Sequence, residues 1–498
     1  MSSKEPSEII LGARPIGIVD KIPTPEEAFN LTKLDAKALV LKVLGPAVIA
    51  LGLAIGSGEW LMGPSVAAKY SLLLFWIALI SIILQVFYNY TWARLTVATG
   101  EPPVALMGRL PGGRFWTWFG TANLLAGHFI PGWASAAATG LLALFLARIP
   151  GAAESELVRW TAVGLFLLCA LIISVGGKIE SSLEVANKIM ISFVLIMLIF
   201  VVAPLTVTGE AIGEAARGAF SFGYIPPGVD IFLIAGWFGY AGQAAALNYY
   251  WIAFYRDKGY GMGSIVGYIP ALIGGKKVTL SPLGKLFKIT DENLKIFKRW
   301  EGILNIEMWG IWFLGALLGM FLPALIVRSL VPVGTALPAW GIAAHMAEVF
   351  AAKVGRWGFY LIGLIGFFIL FSTQLGVVDG AITRPVVDGF WATSETIRKW
   401  AKEDPRRFYY PFLVLYLIFG CASLWISYPL MLVLINANIT HFAGLWAIPA
   451  LIYLDRKVMP KELRAPAWMH IFNIALMICH IFFFVAIVLF YGFGIKIF

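Results

Sequence analysis

Residues 45–73 read GPAVIALGLAIGSGEWLMGPSVAAKYSLL. The stretch is apolar and longer than the roughly 20 residues a helix needs to cross the hydrocarbon of a bilayer. In its middle sit Gly56, Ser57 and Gly58. Glycine flexes the backbone and frees N–H and C=O groups. Freed groups at membrane depth persist only where they line a cavity or bind something. Glu59 follows at once. An ionisable side chain at mid-depth costs at least ~2.5 kcal/mol on insertion scales, so it needs a partner. It is either a hard oxygen ligand for a cation, or a titrating group, or a cap for the second half-helix, whose first turn favours a negative charge. These roles are compatible with one another.

The rest of the chain has the same solvent. Of 498 residues, 60% are apolar and 13% charged, with mean hydropathy +0.82. A water-facing domain carries about 25% charged residues, so the bilayer must cover most of this surface. Eleven apolar segments, at roughly 42–68, 72–97, 115–147, 157–177, 185–208, 228–254, 303–331, 356–383, 408–428, 430–454 and 467–495, predict an all-α, polytopic membrane protein of about eleven transmembrane helices. The ninth and tenth nearly abut through Tyr428-Pro429. Cys169, Cys421 and Cys479 lie far apart inside apolar runs and show neither disulfide nor metal spacing.

The net charge of +10 admits a nucleic-acid reading until its positions are read. With the N-terminus inside, 30 of the 38 Lys and Arg fall in or beside inside segments. The positive-inside rule then places the N-terminus in the cytoplasm and the C-terminus outside, in a multi-pass cell-membrane protein. Anionic headgroups are the expected partner of the excess charge, and no nucleic acid is needed. About forty mostly polar residues precede the first span without a signal-peptide pattern. Within them, Thr24-Pro25-Glu26-Glu27 reads as a helix start. Residues 256–300 read as a basic, solvated, lipid-facing loop, helix-like from Thr290-Asp291-Glu292 onward, with a regulatory element as the sharper alternative.

Segment six carries a second weakness, at Gly236-Trp237-Phe238-Gly239-Tyr240-Ala241-Gly242-Gln243, about 185 residues after the first. Interrupted helices at matching positions of two halves point to an inverted-repeat transporter site. The expected organisation is a segment 1–41, two five-helix repeats at 42–208 and 228–454, and a final helix in 467–498. Gly56, Ser57, Gly58 and Glu59 would face Tyr240, Ala241 and Gln243. His128, Gln374, Asp379 and Asn436 are candidates for the pathway or its gates, although Asp379 has a ready partner in Arg384. Asn438 and His441 are weaker candidates, since a lone membrane histidine is usually an interhelical hydrogen bonder. No nucleophile elbow, zinc motif or phosphate loop appears, so neither an enzyme nor a cofactor is expected.

These residues resemble the Nramp family of divalent-metal transporters. The similarity runs from Gly45-Pro46 through the break to Tyr70 and Trp76, and returns at Gly140, Leu183-Glu184, Ser372-x-Gln374 and Gly380. It implies a LeuT-like 5+5 inverted repeat plus one extra helix, with helices 1 and 6 broken. The family's Asp-Pro-Gly-Asn motif falls on Gly56, Ser57, Gly58 and Glu59, so its metal-binding aspartate is lost and a carboxylate stands where its asparagine would be. Its Met-Pro-His motif falls on Ala241, Gly242 and Gln243, which removes the soft thioether and the titrating histidine. Its acidic relay positions fall on Ala134 and Ala137. The expected cargo is therefore a hard cation, Mg²⁺ or Mn²⁺, with Glu59 and Gln243 as metal ligands and no tight proton coupling. The alternative is an amino-acid or small organic solute carrier of the same superfamily, in which half-helix N–H groups hold a carboxylate.

Overall fold

The computed structural model describes residues 8–56, 58–335, 342–425 and 429–495. In lipid the backbone groups of a spanning segment must be satisfied internally, as they are within a helix. Nine helices among the described residues are long and apolar enough to cross a membrane: Pro46–Tyr70, Leu72–Thr99, Arg114–Leu146, Ala152–Ser174, Ile179–Thr206, Asp291–Leu330, Arg356–Thr393, Val433–Val458 and Met469–Phe493. Two of the eleven expected segments differ. Segment six is a helix, Ile231–Tyr240, then an irregular stretch, then short turns at Ala245–Tyr250 and Ala253–Lys258. Segment nine, Arg406–Ser423, has 18 residues and opens on Arg406-Arg407. The chain is thus an all-α, polytopic membrane protein, and "span" below denotes these eleven segments in order. The expected junction at Tyr428-Pro429 includes residues 426–428, which lie outside the described residues.

Two helix boundaries depart from the apolar pattern. Span 3 bends between Arg114–His128 and Gly132–Leu146, because Pro131 has no N–H to continue the ladder. Span 8 continues to Thr393, ten residues past its apolar run. Its charged residues are buried in pairs: Arg384 bonds Asp379 at 2.7 Å and also Asp257, and Asp388 bonds Arg256 at 2.7 Å.

The basic connections gather at one end of the bundle, here called the basic face. The loop 256–300 is only in part the solvated segment expected, with Lys276 and Lys277 exposed but Leu280, Leu286 and Phe287 buried. It forms strand β3 (Lys285–Phe287), which pairs in parallel with β2 (Arg14–Val19), itself antiparallel to β1 (Glu8–Leu11). Thr24 caps the single-turn helix Pro25–Ala28 through a reciprocal capping box with Glu27. Thr290 caps the helix Asp291–Asn305, which runs on into span 7. Both helix starts were legible from their cap residues. Arg109, Arg256 and Arg384, counted above among the inside charges, are buried in ion pairs and do not face headgroups.

Candidate functional site

Spans 1 and 6 both break, and they meet at Glu59. The first half of span 1, Pro46–Ala54, ends in a turn at Ile55-Gly56, and helical structure resumes at Gly58. Ser57 lies outside the described residues. The carboxylate of Glu59 is fully buried. Its Oε2 accepts from Gly56 N at 3.2 Å, within its own break, and its Oε1 accepts from Gly242 N at 2.8 Å, in the opposite one. One side chain therefore satisfies a freed donor in each broken helix. The two backbones touch beside it: a Cβ at Gly58 would lie 2.1 Å from the Tyr240 carbonyl oxygen, so only glycine fits.

The span 6 break turns through left-handed backbone at Gly242 (φ 74°), Gln243 (φ 113°) and Ala245 (φ 40°). Most of its freed carbonyls are taken by one stripe of span 2. Ser81 donates to Phe238 O at 2.7 Å, Gln85 Nε2 to Ala241 O at 2.6 Å, and Tyr88 to Ala246 O at 2.7 Å. Thr440 of span 10 donates to Ala244 O at 2.5 Å. Asn248 accepts from Ala244 N at 2.9 Å and donates to Gln85 Oε1 at 2.8 Å. Sequence reasoning missed Ser81, Gln85, Tyr88 and Asn248. The available signal was the spacing of three hydrogen-bonding residues, four and then three apart, on one face of an apolar helix.

Between the breaks lies a small cavity lined by Leu53, Ala54, Gly58, His128, Trp133, Tyr240, Gln243, Ala244, Tyr250, Thr373 and Val377. Its volume, about 10 Å³ for the centre of a water molecule, holds about one water. Gln243 donates to Tyr250 OH at 2.8 Å, and its Oε1 is buried with no hydrogen-bond partner. His128 Nδ1 lies 3.1 Å from Leu124 O. A carbonyl only accepts, so Nδ1 carries a proton in this contact. Aromatic rings form one wall: Trp133 stacks on Tyr240 at 6.0 Å, and His128 meets Tyr250 at 5.0 Å.

Of the residues singled out from sequence, Gly58, Tyr240, Gln243 and His128 line this cavity, with Glu59 bridging the two breaks beside it. The carbonyl of Ala241 is turned away to Gln85. Three others stand outside the lining. Gln374 accepts from Ala134 N at 3.1 Å. Asn436 donates to Ile130 O at 3.2 Å, at the span 3 bend. Asp379 pairs with Arg384 and accepts from Tyr409 OH at 2.6 Å. Asn438 donates to Phe232 O at 3.2 Å, and His441 bonds the Ala235 carbonyl at 2.9 Å and His480 at 3.0 Å. Among the described residues, no three His, Cys, Asp or Glu side chains converge as a ready metal cage.

No family model matches the sequence, and no curated protein does. Solved structures are similar to it in fold. A mutant form of the Eremococcus coleocola manganese transporter aligns with TM-score 0.57 at 16% identity, over 98% of this chain and 93% of its own. The same organism's manganese transporter in complex with an aromatic bis-isothiourea substituted compound aligns with TM-score 0.57 at 14% identity over the same shares. Mhp1, a nucleobase-cation-symport-1 family transporter in a closed conformation with bromovinylhydantoin bound, aligns with TM-score 0.51 at 12% identity, over 91% of this chain and 96% of its own. The LeuT-like architecture is shared at these identities.

Proposed function

We propose that the chain is a membrane carrier that moves a hard divalent cation, Mg²⁺ or Mn²⁺, by alternating access about its two broken helices. The carrying observation is that Glu59 bonds a freed N–H in each break. Each carboxylate oxygen keeps a second lone pair, so a cation at Glu59 would compete with, or polarise, the bonds that set the geometry of both helices. Gln243 Oε1, buried and unpartnered, supplies a second neutral oxygen. Mg²⁺ is commonly held by one or two carboxylates with its remaining waters retained, so a single carboxylate with amide and backbone oxygens is a sufficient donor set. The cavity is too small for that hydrated ion in the present conformation and must widen to load it.

The resemblance to Nramp transporters supports the same reading, in a branch where Gln243, Ala134 and Ala137 replace titrating groups. Transport without tight proton coupling follows. We place the basic face in the cytoplasm from the charge distribution, and residues 42–208 and 228–454 as the two structural halves.

Purified protein in liposomes is expected to admit Mg²⁺ or Mn²⁺. Glu59→Gln, which keeps shape but removes the charge, is expected to reduce that flux by at least tenfold, the scale of losing one charge-assisted contact. Undiminished flux of both ions in this variant would overturn the role given to Glu59. A second reading rests on the aromatic wall of His128, Trp133, Tyr240 and Tyr250, which suits a small organic solute. Thermal stabilisation by an amino acid, with none by divalent salts, would select that reading instead.

A further inference from the structure

We infer that residues 8–29 are a strap that holds the basic face of the bundle closed, with Arg14 as its catch and Arg109 as its anchor. Nothing in this inference depends on the transported substrate.

The strap is bound at both ends by side chains of other segments. At its start, the tight turn between β1 and β2 sits against the connection of spans 2 and 3: Ala13 N donates to Arg109 O at 3.0 Å, and a Cβ at Gly12 would lie 2.3 Å from that same oxygen. The Arg109 guanidinium is fully buried and donates to Leu11 O and Arg14 O at 3.0 Å and to Pro15 O at 3.3 Å. Its remaining donors form a bidentate pair with Glu101, at 2.6 and 2.7 Å. Glu101 in turn accepts from Gly284 N at 2.8 Å, in the connection between spans 6 and 7. A buried arginine that spends most of its donors on strap carbonyls is costly unless all are engaged. The anchor is therefore formed only when the strap is docked.

The far end is held separately. β2 lies beside β3, Asn293 bonds Ile22 N and Asp20 O at 3.3 and 2.8 Å, and Trp300 donates to Pro23 O at 2.9 Å. Phe29 closes the strap against Tyr260 at 5.8 Å, and Tyr260 donates to Val43 O at 3.0 Å, just ahead of span 1.

The decisive contact is the one to span 8. Arg14 reaches past the strap to the Ala392 carbonyl at the end of that helix, and to Ala105 O at 3.4 Å. Close by, the end of span 6 is fastened to span 8 by Arg256–Asp388 and Asp257–Arg384, and to span 5 by Lys258–Glu184. The strap thus ties the 2–3 and 6–7 connections to the same helix that the charged end of span 6 grips. Any movement that separates span 8 from span 6 at this face must break the Arg14 contact as well.

The test uses the full chain in vesicles, with Cys169, Cys421 and Cys479 replaced and Ala54→Cys as a reporter in the cavity. A water-soluble maleimide is supplied to the side bearing the N-terminus. Arg14→Ala and Arg109→Gln are each expected to raise the labelling rate about tenfold, because losing a catch of this strength shifts a closed–open equilibrium by that order. As a second arm, Arg14→Cys and Ala392→Cys joined by a bis-maleimide, without the reporter, should slow amide exchange across residues 46–54 relative to a mono-maleimide control. Unchanged labelling in Arg14→Ala overturns the inference. If a variant proves too unstable to label, the cross-link arm decides, and equal exchange with and without the bridge overturns it.

Discussion

The two interrupted helices arise from similar glycine-rich stretches and are held in opposite ways. The span 6 break is backed by Ser81, Gln85 and Tyr88 of span 2, by Asn248 and by Thr440, so that its carbonyls at 238, 241, 244 and 246 all accept from side chains. Among the described residues, the span 1 break has far less behind it. Ser372 and Thr373 donate to Gly52 O at 3.0 and 3.3 Å, one turn before the break, and Glu59 accepts from Gly56 N. One break is a fixed seat built by neighbouring helices, and the other, among its described residues, is tied by a single carboxylate. On the proposed reading, span 1 is the half that shifts when a cation competes for Glu59, while span 6 keeps its shape.

Removing Glu59 should break this asymmetry outright. Glu59→Ala strands the buried N–H groups of Gly56 and Gly242, at about 1–3 kcal/mol each, and should abolish flux and lower Tm by several degrees in a thermal melt. Gln85→Leu tests the seat. It leaves Ala241 O and Asn248 Nδ2 without partners, costing about 1–3 kcal/mol apiece. Cation affinity should weaken less than in Glu59→Ala, and a loss of affinity equal to that variant's would show span 6 to be no more rigid than span 1. Thr373→Val removes one of two hydroxyls from Gly52 O, so the expected loss is only about 1 kcal/mol, read as a small Tm shift with transport retained.

The smallest effect lies outside the membrane. Burial pushes the Glu101 carboxyl up, but the Arg109 charge, its hydrogen bonds and Gly284 N outweigh this and hold it below the usual carboxylate range. A carboxylate with a depressed folded value contributes stability above its unfolded value and loses it as pH falls through the folded one. Acidification below the ordinary carboxylate range should therefore release the strap, seen as faster amide exchange in residues 8–19. Exchange at 46–54 should quicken only after the strap has released, and exchange that quickens there without prior strap release would link the two regions in the reverse order.

Much of this was local and therefore legible. Gly56, Gly58 and Glu59 announce a break because glycine and a buried acid in an apolar run have few other uses. Asp379 has its partner five residues away, in Arg384. Thr24 and Thr290 cap the helices that follow them. The spacing of Ser81, Gln85 and Tyr88 marks a polar face on span 2, but nothing local names the partner of a distant residue: Gln85 and Ala241 are 156 residues apart, and Arg14 and Ala392 are 378.

Composition and hydropathy by themselves determined that this chain lives in a bilayer as a bundle of helices, two of them broken, because apolar side chains leave no other solvent and clustered glycines weaken a helix where they fall. Only the tertiary structure decided that Glu59 spends one oxygen on each break, that span 2 builds the seat for span 6, and that the N-terminal segment pairs with the 6–7 connection. Those outcomes depend on which unpaired donors and acceptors meet across space, and hydrogen bonding between segments hundreds of residues apart has no periodicity to read.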